Sequence, residues 1–443
     1  MGQIFWIAGL RISRDELATS NVAHVQKLLK HDHERGVWPV CLCCDRRPPM
    51  VVRKLVSRYV LARKQGSGPA HHPQCESYLS PDEWSGRSSY TQSAIEALED
   101  GSTRIRLDEP LAPRKPSLAT RAARKVDQTD RPAVKRDTTT LLGVLHYFWD
   151  HAGLNRWSPR MRDEKGHLKR GWWTVERAAT DWAALTSIGR ESLAKVLFTP
   201  PSFAKEQREQ QCSRFRAFMH HRLGDPAGTP RHALLLAELD ELKPTEYGAK
   251  AELKHLKEFA FWLSKAVLAQ LERRFGRELA MLRAPAAVDE NNGAITSSDT
   301  HDRVIGLFRI GAAKRSEQFH VLEAGLMRVT GEWIPVQSHF EAWLAKELVN
   351  NAWYFQKPLR YDASTESVFP DFLLTDCGDT PIPLEVFGYT NDPTYEARKA
   401  DKIAAYRRGG DPFWFWDVGI HGNKPKDWPA LPAPIPSQRK PVG

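Results

Sequence analysis

The clearest pattern of apolar and polar positions lies near the end of the chain. Apolar side chains at positions 340, 343, 344 and 348 recur at helical spacing behind Ser338, a residue that can cap the first turn. Short runs rich in β-forming residues come next. The pattern predicts strands over residues 354–361, 368–375 and 382–389, a helix over 395–406 and a last strand over 413–416. The predicted order is therefore helix, three strands, helix, strand.

Two acidic residues lie inside the predicted strands. Asp371 follows Pro370, and Glu385 comes fourteen residues later in the run Leu-Glu-Val-Phe-Gly. On adjacent strands the two carboxylates would lie side by side, and such a pair can bind the divalent metal that assists phosphodiester cleavage. The simpler interpretation is a Pro-Asp turn and a solvent-facing glutamate.

This order and these motifs resemble the PD-(D/E)xK nuclease superfamily over roughly residues 331–420. The resemblance implies that Asp371 and Glu385 are ligands of Mg²⁺ or Mn²⁺. It also implies that Glu341, on the first helix, is a supporting acid that completes the metal site.

The chain departs from the superfamily pattern at one position. The lysine expected two residues after the second acid is Phe387 here. Lys402 is the preferred replacement, because it lies in a helical stripe with Tyr395, Lys399 and Tyr406 that can face the same site. Lys399 is the alternative. The lysine would orient the attacking water and stabilise the charge of the transition state.

A second constellation, nearer the N-terminus, is rich in metal-binding side chains. Four of the six cysteines lie in this region, and thiolates and imidazole are the usual donors to tetrahedral zinc. The preferred ligands are Cys41, Cys43, His71 and Cys75, with Cys44 and His72 as substitutes. Four protein ligands leave no open position, which predicts a structural zinc in a module with little core of its own. Buried free thiols beside solvated histidines are the alternative.

Several further motifs resemble an uncharacterised bacterial family that occurs on conjugative plasmids and integrative elements. They are Gly66-Ser67-Gly68-Pro69, the run from His71 to Tyr78, the run from Leu145 to Trp149 and the run from Ala152 to Pro159. The resemblance covers most of the chain and implies a mobile-element context.

Composition and charge favour a polyanionic partner. The net charge of +10 at pH 7 and the pI near 9.2 indicate nucleic acid, DNA first of all. The apolar N-terminus is too short for a secretory signal, and no run approaches the roughly twenty apolar residues that span a bilayer. We therefore expect a cytoplasmic protein without a membrane partner, in which cysteines bind metal rather than form disulfides. The chain has no Walker loop, which argues against an ATP-driven motor.

These patterns predict an α+β multidomain protein. Its predicted parts are a small β-rich zinc-binding module (1–107), a basic flexible linker (108–137), an α+β middle domain (138–330), a PD-(D/E)xK-like αβββαβ core (331–420) and a disordered tail (421–443). The linker has eight Lys or Arg against two Asp between positions 113 and 136, so it could contact phosphates or be a plain tether.

The middle domain gives two further expectations. Its pattern predicts strands over 233–239, 304–310 and 319–329, and a long helix over 252–282. Its tryptophans at 157, 172 and 173 lie among six Lys or Arg, an arrangement that can stack bases, although tryptophans are more often packed inside.

Three functions are consistent with the sequence. The first is a metal-dependent endonuclease that acts on DNA. The second is a nucleic-acid-binding protein with a nuclease-like fold that has lost turnover, as the missing Glu-x-Lys lysine would suggest. The third is an interaction component of a conjugative or integration machine.

Overall fold

A computed structural model describes most of the chain. The described residues are 3–19, 22–54, 58–64, 67–72, 75, 77, 94–98, 102–109, 111, 138–202, 207–224, 231–283, 302–313, 317–359, 370–388, 393–410, 412–422 and 428–435. The expected basic linker lies outside the described residues from position 112 onward.

Helices are interspersed among runs of strands along the described chain. The helices are α1 (Arg14–Thr19), α2 (Val22–Glu34), α3 (Leu141–His151), α4 (Trp172–Ala184), α5 (Arg208–Leu223), α6 (Lys265–Arg283), α7 (His339–Asn350), α8 (Pro393–Gly409) and α9 (Val418–His421). The strands are β1 (Ile4–Ile7), β2 (Leu10–Ser13), β3 (Val40–Cys41), β4 (Met50–Lys54), β5 (Tyr59–Arg63), β6 (Ile95–Ala97), β7 (Thr103–Ile105), β8 (Arg156–Trp157), β9 (Thr186–Ile188), β10 (Glu191–Ser192), β11 (Leu197–Phe198), β12 (Ala233–Thr245), β13 (Gly248–Leu253), β14 (Ala260–Ser264), β15 (Arg303–Ala312), β16 (Gln318–Val329), β17 (Phe355–Gln356), β18 (Phe372–Leu374), β19 (Ile382–Phe387) and β20 (Trp414–Asp417).

The N-terminal part is a small β-rich unit. It contains the antiparallel sheet β2-β1-β3 and the hairpin β4-β5. Alternation along β1 buries Phe5 and Ile7, which pack with Leu29 of α2. Cys41 and Cys75 belong to the same hydrophobic cluster. The cysteine-rich motif therefore lies inside a small core.

The middle of the chain closes into a five-stranded barrel. The strand order is β12-β13-β14-β16-β15, and β15 pairs back to β12. Strand β12 has three neighbours: a bulge between Leu239 and Glu241 divides it, and β11 pairs in parallel with its first part. The part before the bulge pairs with β15 and the part after it pairs with β13. Helix α6 buries Leu271, Phe275 and Leu279 in the barrel's hydrophobic cluster.

The predicted helix over 252–282 is wrong in its first half. Strand β13 reaches Leu253, and β14 follows before α6 begins at Lys265. Burial alternates along β13 and β14, with Ala251 and Phe261 inside and Lys250 and Trp262 turned outward. Charged residues that alternate with apolar ones can be mistaken for the solvent-facing side of a helix. Here they recur at every second residue, which is the period of a strand with one face open to solvent.

Helices cover part of the barrel's outer surface. Helix α3 crosses β16 so closely that a Cβ atom on Gly325 would lie 2.3 Å from the backbone nitrogen of Leu142. Of the three tryptophans considered for base stacking, Trp157 and Trp172 are buried and Trp173 is exposed. The first two are therefore core residues.

The C-terminal part is a five-stranded sheet with the order β20-β19-β18-β17-β8. Neighbouring strands are antiparallel except β19 and β20. Its core contains Leu344 and Leu348 of α7, Phe372 of β18 and Trp416 of β20. Strand β8 comes from the middle of the chain, so this sheet crosses the expected boundary between residues 330 and 331.

Part of the predicted disordered tail packs on this sheet. The ring centroids of Trp428 and Trp416 lie 4.9 Å apart. The backbone N–H of Ile435 donates to the carbonyl of Asp376 over 2.9 Å. The structure thus differs from the sequence prediction over residues 428–435. In the described ranges, no helix is both long enough and apolar enough to cross a membrane.

Candidate functional site

The N-terminal unit gathers four potential metal ligands at one point. The donor atoms of Cys41, Cys43, His71 and Cys75 all lie within 4.8 Å of one another. The Sγ atoms of Cys41 and Cys75 are 3.8 Å apart, and His71 Nδ1 lies 3.6 Å from Cys43 Sγ and 3.5 Å from Cys75 Sγ. Tetrahedral zinc, with its usual bond lengths, sets sulfurs about 3.8 Å apart and sulfur and nitrogen about 3.5 Å apart. The cluster can therefore hold a metal such as zinc.

Donors from the surrounding chain face the sulfur atoms. Gln3 Nε2 donates to Cys75 Sγ over 2.9 Å and to Cys41 Sγ over 3.3 Å. The backbone N–H groups of Ser77 and His72 donate to Cys75 and Cys43, each over 3.4 Å. Such donors stabilise thiolates around a metal. Gln3 was not predicted, because one glutamine before an apolar strand carries no signal in a single sequence.

The two alternative ligands lie outside the four-residue group. The thiol of Cys44 donates to the carbonyl of Ala70 over 3.4 Å. His72 takes part through its backbone N–H, as described above. The structure thus brings together the four preferred zinc ligands, Cys41, Cys43, His71 and Cys75.

Without a metal, the cysteines would resist joint ionisation. Hydrogen bonding to Cys41, together with burial, raises the pKa of Cys75 to about 12. Hydrogen bonds with Cys41 and Cys75, then burial, also raise the pKa of Cys43. A divalent cation would replace the thiol protons and stabilise the thiolates. Because protons compete with the cation for the sulfur atoms, metal affinity should increase with pH.

The C-terminal sheet brings Asp371 and Glu385 to neighbouring positions. Phe372 of β18 pairs with Leu384 of β19, and the N–H of Asp371 donates to the carbonyl of Leu384 over 3.0 Å. Asp371 directly precedes β18 and bonds to the residue before Glu385, so the two acidic residues lie at neighbouring points of this strand pair. The N–H of Val386 donates to Asp371 Oδ2 over 2.8 Å.

Helix α8 supplies two partners to Glu385. Lys402 Nζ donates to Oε2 over 2.5 Å and the Tyr406 hydroxyl donates to Oε1 over 2.6 Å. Burial, and then the charge of Asp371, outweigh these donors and raise the pKa of Glu385 to about 8. Burial and the Glu385 charge raise the pKa of Tyr406, which therefore remains a donor.

Lys357, which the sequence analysis missed, connects the other two acids. Its Nζ lies 2.8 Å from Glu341 Oε2 and 3.8 Å from Asp371 Oδ1, and its side chain is only 3% exposed. The N–H of Gln337 also donates to Glu341 Oε2, over 3.0 Å. A lysine at the end of an apolar run was the available signal, because a buried ammonium group needs a carboxylate partner.

Lys357 is held by a segment from the middle of the chain. Its N–H donates to the carbonyl of Asn155 over 2.8 Å, and Asn155 Nδ2 donates to the Lys357 carbonyl over 2.7 Å. Asn155 Nδ2 also donates to Asp150 Oδ1 over 2.9 Å, and Asn155 is fully buried. Residues 150–157 thus help to position Lys357 beside the carboxylate cluster, by which we mean Glu341, Asp371 and Glu385.

Lys399 is not part of this cluster. Its Nζ lies 2.9 Å from Asp417 Oδ2 and 2.5 Å from Glu396 Oε2. It lines a groove of about 850 Å³ along α8, together with Arg407 and Arg408. Of the two lysines considered, Lys402 is the one that contacts Glu385.

The three acids do not converge on one point. Among the described residues, only the cysteine and histidine cluster brings three or more potential ligand atoms together, so Glu341, Asp371 and Glu385 do not form a three-acid metal site. Glu341 instead forms an ion pair with Lys357. Three carboxylates face two lysines, so one negative charge remains when all five groups are ionised. A cation would therefore use Asp371 and Glu385 and would compete with Lys402 for the latter.

Fold and site together define a mixed α+β protein with several sheets and a Cys₃His cluster suited to a metal such as zinc. The chain belongs to the family described as "Protein of unknown function (DUF1173)", whose model matches residues 11–419. This confirms the expectation of an uncharacterised family. No curated protein and no solved structure matches the chain.

Proposed function

We propose that residues 339–417 form a metal-dependent phosphodiesterase site of the PD-(D/E)xK type, which cuts DNA. The observation that carries the proposal is that Asp371 bonds to the residues on both sides of Glu385, with a lysine beside each acid. Lys402 lies 2.5 Å from Glu385, and Lys357 lies 3.8 Å from Asp371. The chain order α7, β17, β18, β19, α8, β20 supports the same assignment.

The donor set suits Mg²⁺ or Mn²⁺. Such ions take one or two carboxylates together with water and phosphate oxygens. A bound ion would supply stabilisation of the phosphoryl charge and a hydroxide near neutral pH. Asp371, whose side chain is 23% exposed, is the more accessible ligand, whereas Glu385 is fully buried.

Four other side chains would position the metal ligands and stabilise charge at the site. Lys402 and Tyr406 fix the orientation of the Glu385 carboxylate. Lys357 binds Glu341 and lies near Asp371, where an ammonium group can orient water and stabilise negative charge on a phosphate. Glu341 is therefore a positioning residue that acts through Lys357.

The whole chain offers a context for this activity. Its net charge of +10 favours a polyanionic substrate. The Cys₃His cluster would hold a structural zinc that stabilises the N-terminal unit. We assign the protein to DNA processing in mobile elements, in the cytoplasm.

Cleavage of supercoiled plasmid tests the proposal. We expect wild-type protein to nick or linearise the plasmid with Mg²⁺ or Mn²⁺, and Asp371→Asn to reduce the rate by about 100-fold or more. Asp401→Asn is the matched control, because Asp401 is an exposed aspartate on α8. It should cut at the wild-type rate. Equal cutting by wild type and Asp371→Asn would refute the assignment.

One observation favours a second candidate, the same site without turnover. Both oxygens of Glu385 already accept hydrogen bonds, and its pKa near 8 means that a metal must displace protons as well as Lys402. If wild type binds DNA and cuts with neither metal, the protein is a nucleic-acid-binding component of its mobile element. If it neither binds nor cuts, an interaction component remains.

A further inference from the structure

We infer that the five-stranded barrel is a single-stranded nucleic-acid-binding module. Strands β14 and β16 are parallel, and the other neighbours in the closed order β12-β13-β14-β16-β15 are antiparallel. Helix α6 lies between the third and fourth strands of the barrel. This is the connectivity of the OB-fold, in which the face of strands two and three and the adjoining loops bind oligonucleotides or oligosaccharides.

The equivalent face is the one that the described part of the protein leaves open. Residues 233–239 of β12 and 304–311 of β15 are buried on both sides, and α3 lies across the second half of β16. By contrast, burial alternates along β13, β14 and the first half of β16, so the outward side chains of these strands reach solvent. The open surface therefore coincides with the ligand face that the connectivity predicts.

The side chains on this face suit a single strand. Lys250, Trp262 and His320 form one row across β13, β14 and β16, in direct register. Tyr247, in the turn before β13, is 76% exposed. Aromatic rings can stack on unpaired bases while a lysine holds the phosphate backbone. These features favour nucleic acid over an uncharged oligosaccharide, as does the net charge of +10.

The turn that carries Tyr247 is fixed against the barrel. Gly248 has a φ of 145°, and a Cβ atom there would lie 2.0 Å from the carbonyl oxygen of Leu263. The N–H of Lys265 donates to the carbonyl of Tyr247 over 3.1 Å. Because only glycine permits this close crossing, the backbone at Tyr247 keeps a defined place beside the row that contains Trp262.

Glu252, whose cross-strand partner is Glu241, should oppose binding. Glu252 Oε1 lies 2.7 Å from Lys243 Nζ and 3.6 Å from Lys250 Nζ. It therefore competes with phosphates for two lysines. Its neutralisation should strengthen binding, whereas loss of Lys250 should weaken it. Diffuse attraction by the whole protein would give the same two signs, so this face is distinguished by a larger effect at Lys250 than at Lys257, a lysine beyond the end of β13.

Fluorescence anisotropy with a labelled single-stranded oligothymidylate tests the inference on the full chain, in buffer without added Mg²⁺ or Mn²⁺. We expect Tyr247→Ala to weaken binding roughly five-fold or more, Lys250→Gln to weaken it and Glu252→Gln to strengthen it roughly two-fold or more. Two controls should bind like wild type. Trp173→Ala removes an exposed tryptophan outside the barrel, and Lys257→Gln removes an exposed lysine beyond the end of β13.

Several results would overturn the inference. Unchanged binding by both Tyr247→Ala and Lys250→Gln is one, and equal weakening by Lys257→Gln and Lys250→Gln is another. Duplex DNA that competes as well as the single strand would remove the claim of strandedness. Displacement of the strand by a neutral maltooligosaccharide would assign the face to sugars.

The inference does not rest on the phosphodiesterase proposal. Binding without added metal reports on the barrel and cleavage with metal reports on the site at Asp371, which lies beside β18 of the other sheet. Loss of cleavage with binding intact would concern the C-terminal site alone. Cleavage that persists in a protein unable to bind the single strand would refute only the barrel's role.

Discussion

At the scale of single residues, Glu385 is a proposed metal ligand whose buried position disfavours its charged form. Its carboxylate is fully buried and has a pKa of about 8. An unfolded glutamate titrates near pH 4.3. Between these values the folded protein binds more protons than the unfolded chain, so this residue lowers stability progressively as the pH rises from about 4.5 to about 8. Such a cost is typical of residues retained for function.

Replacement by glutamine should therefore stabilise the protein in a pH-dependent way. Glu385→Gln keeps an oxygen acceptor for Lys402 or Tyr406 and removes the titration. Without added metal, we expect the unfolding temperature of Glu385→Gln relative to wild type to increase between pH 5 and pH 8. Differential scanning calorimetry across this range measures the effect, with the exposed-turn variant Glu246→Gln as control. A difference that is flat across pH would contradict the assigned cause.

Cys75 and Cys44 provide a matched pair for the metal site. Purified wild type should contain one zinc per chain by elemental analysis. Cys75→Ser removes a buried ligand and should lose that zinc, because a hydroxyl is a poor substitute for thiolate. Cys44→Ser should keep it, since the Cys44 thiol faces the Ala70 carbonyl. Zinc loss in Cys44→Ser with retention in Cys75→Ser would overturn the ligand set.

At the scale of elements, the sequence predicted what depends on local patterning. Apolar spacing identified α7 and the run that becomes β19. The stripe on α8 indicated Lys402, whose Nζ contacts Glu385 in the structure. Long-range pairing carried no local signal. Nothing near Arg156–Trp157 indicates that these residues join a strand two hundred positions later, and therefore Lys357 remained unrecognised. The barrel gave no local signal either, because its closure pairs β12 with β15, which lie far apart in the sequence.

The contact between residues 150–157 and β17 should be important for the C-terminal sheet. Asn155→Ala removes donors to Asp150 and to the Lys357 carbonyl, both inside the protein. We expect a loss of about 1–3 kcal/mol in the free energy of unfolding, measured by urea denaturation. Asn351→Ala is the control, since Asn351 is exposed and bonds only locally to Glu347. Equal effects of the two substitutions would show that the contact contributes little.

At the scale of the whole molecule, the three hydrophobic clusters formed by described residues differ greatly in size. The largest contains the barrel and its helices, the second belongs to the C-terminal sheet and the smallest includes Phe5, Leu29 and Cys41. The smallest cluster surrounds the cysteines. A unit with so little apolar burial among its described residues would gain much of its stability from a bound metal, whereas the two larger clusters have cores of their own.

Removal of zinc should consequently unfold one part of the protein and leave the rest intact. We expect a chelator to make the backbone amides of β1, β3 and α2 exchange rapidly with deuterium, while those of β12, β15 and β19 keep their protection. Hydrogen exchange with mass spectrometry measures this, and re-addition of zinc should restore protection. The units also touch, since Arg156 Nη1 donates to the Cys75 carbonyl over 3.4 Å and Arg58 pairs with Asp181. These contacts are few and partly exposed, so they should transmit little of the change. Loss of protection in β19 on chelation would instead show that the metal cluster and the carboxylate cluster form one cooperative unit, with β8 as the link between them.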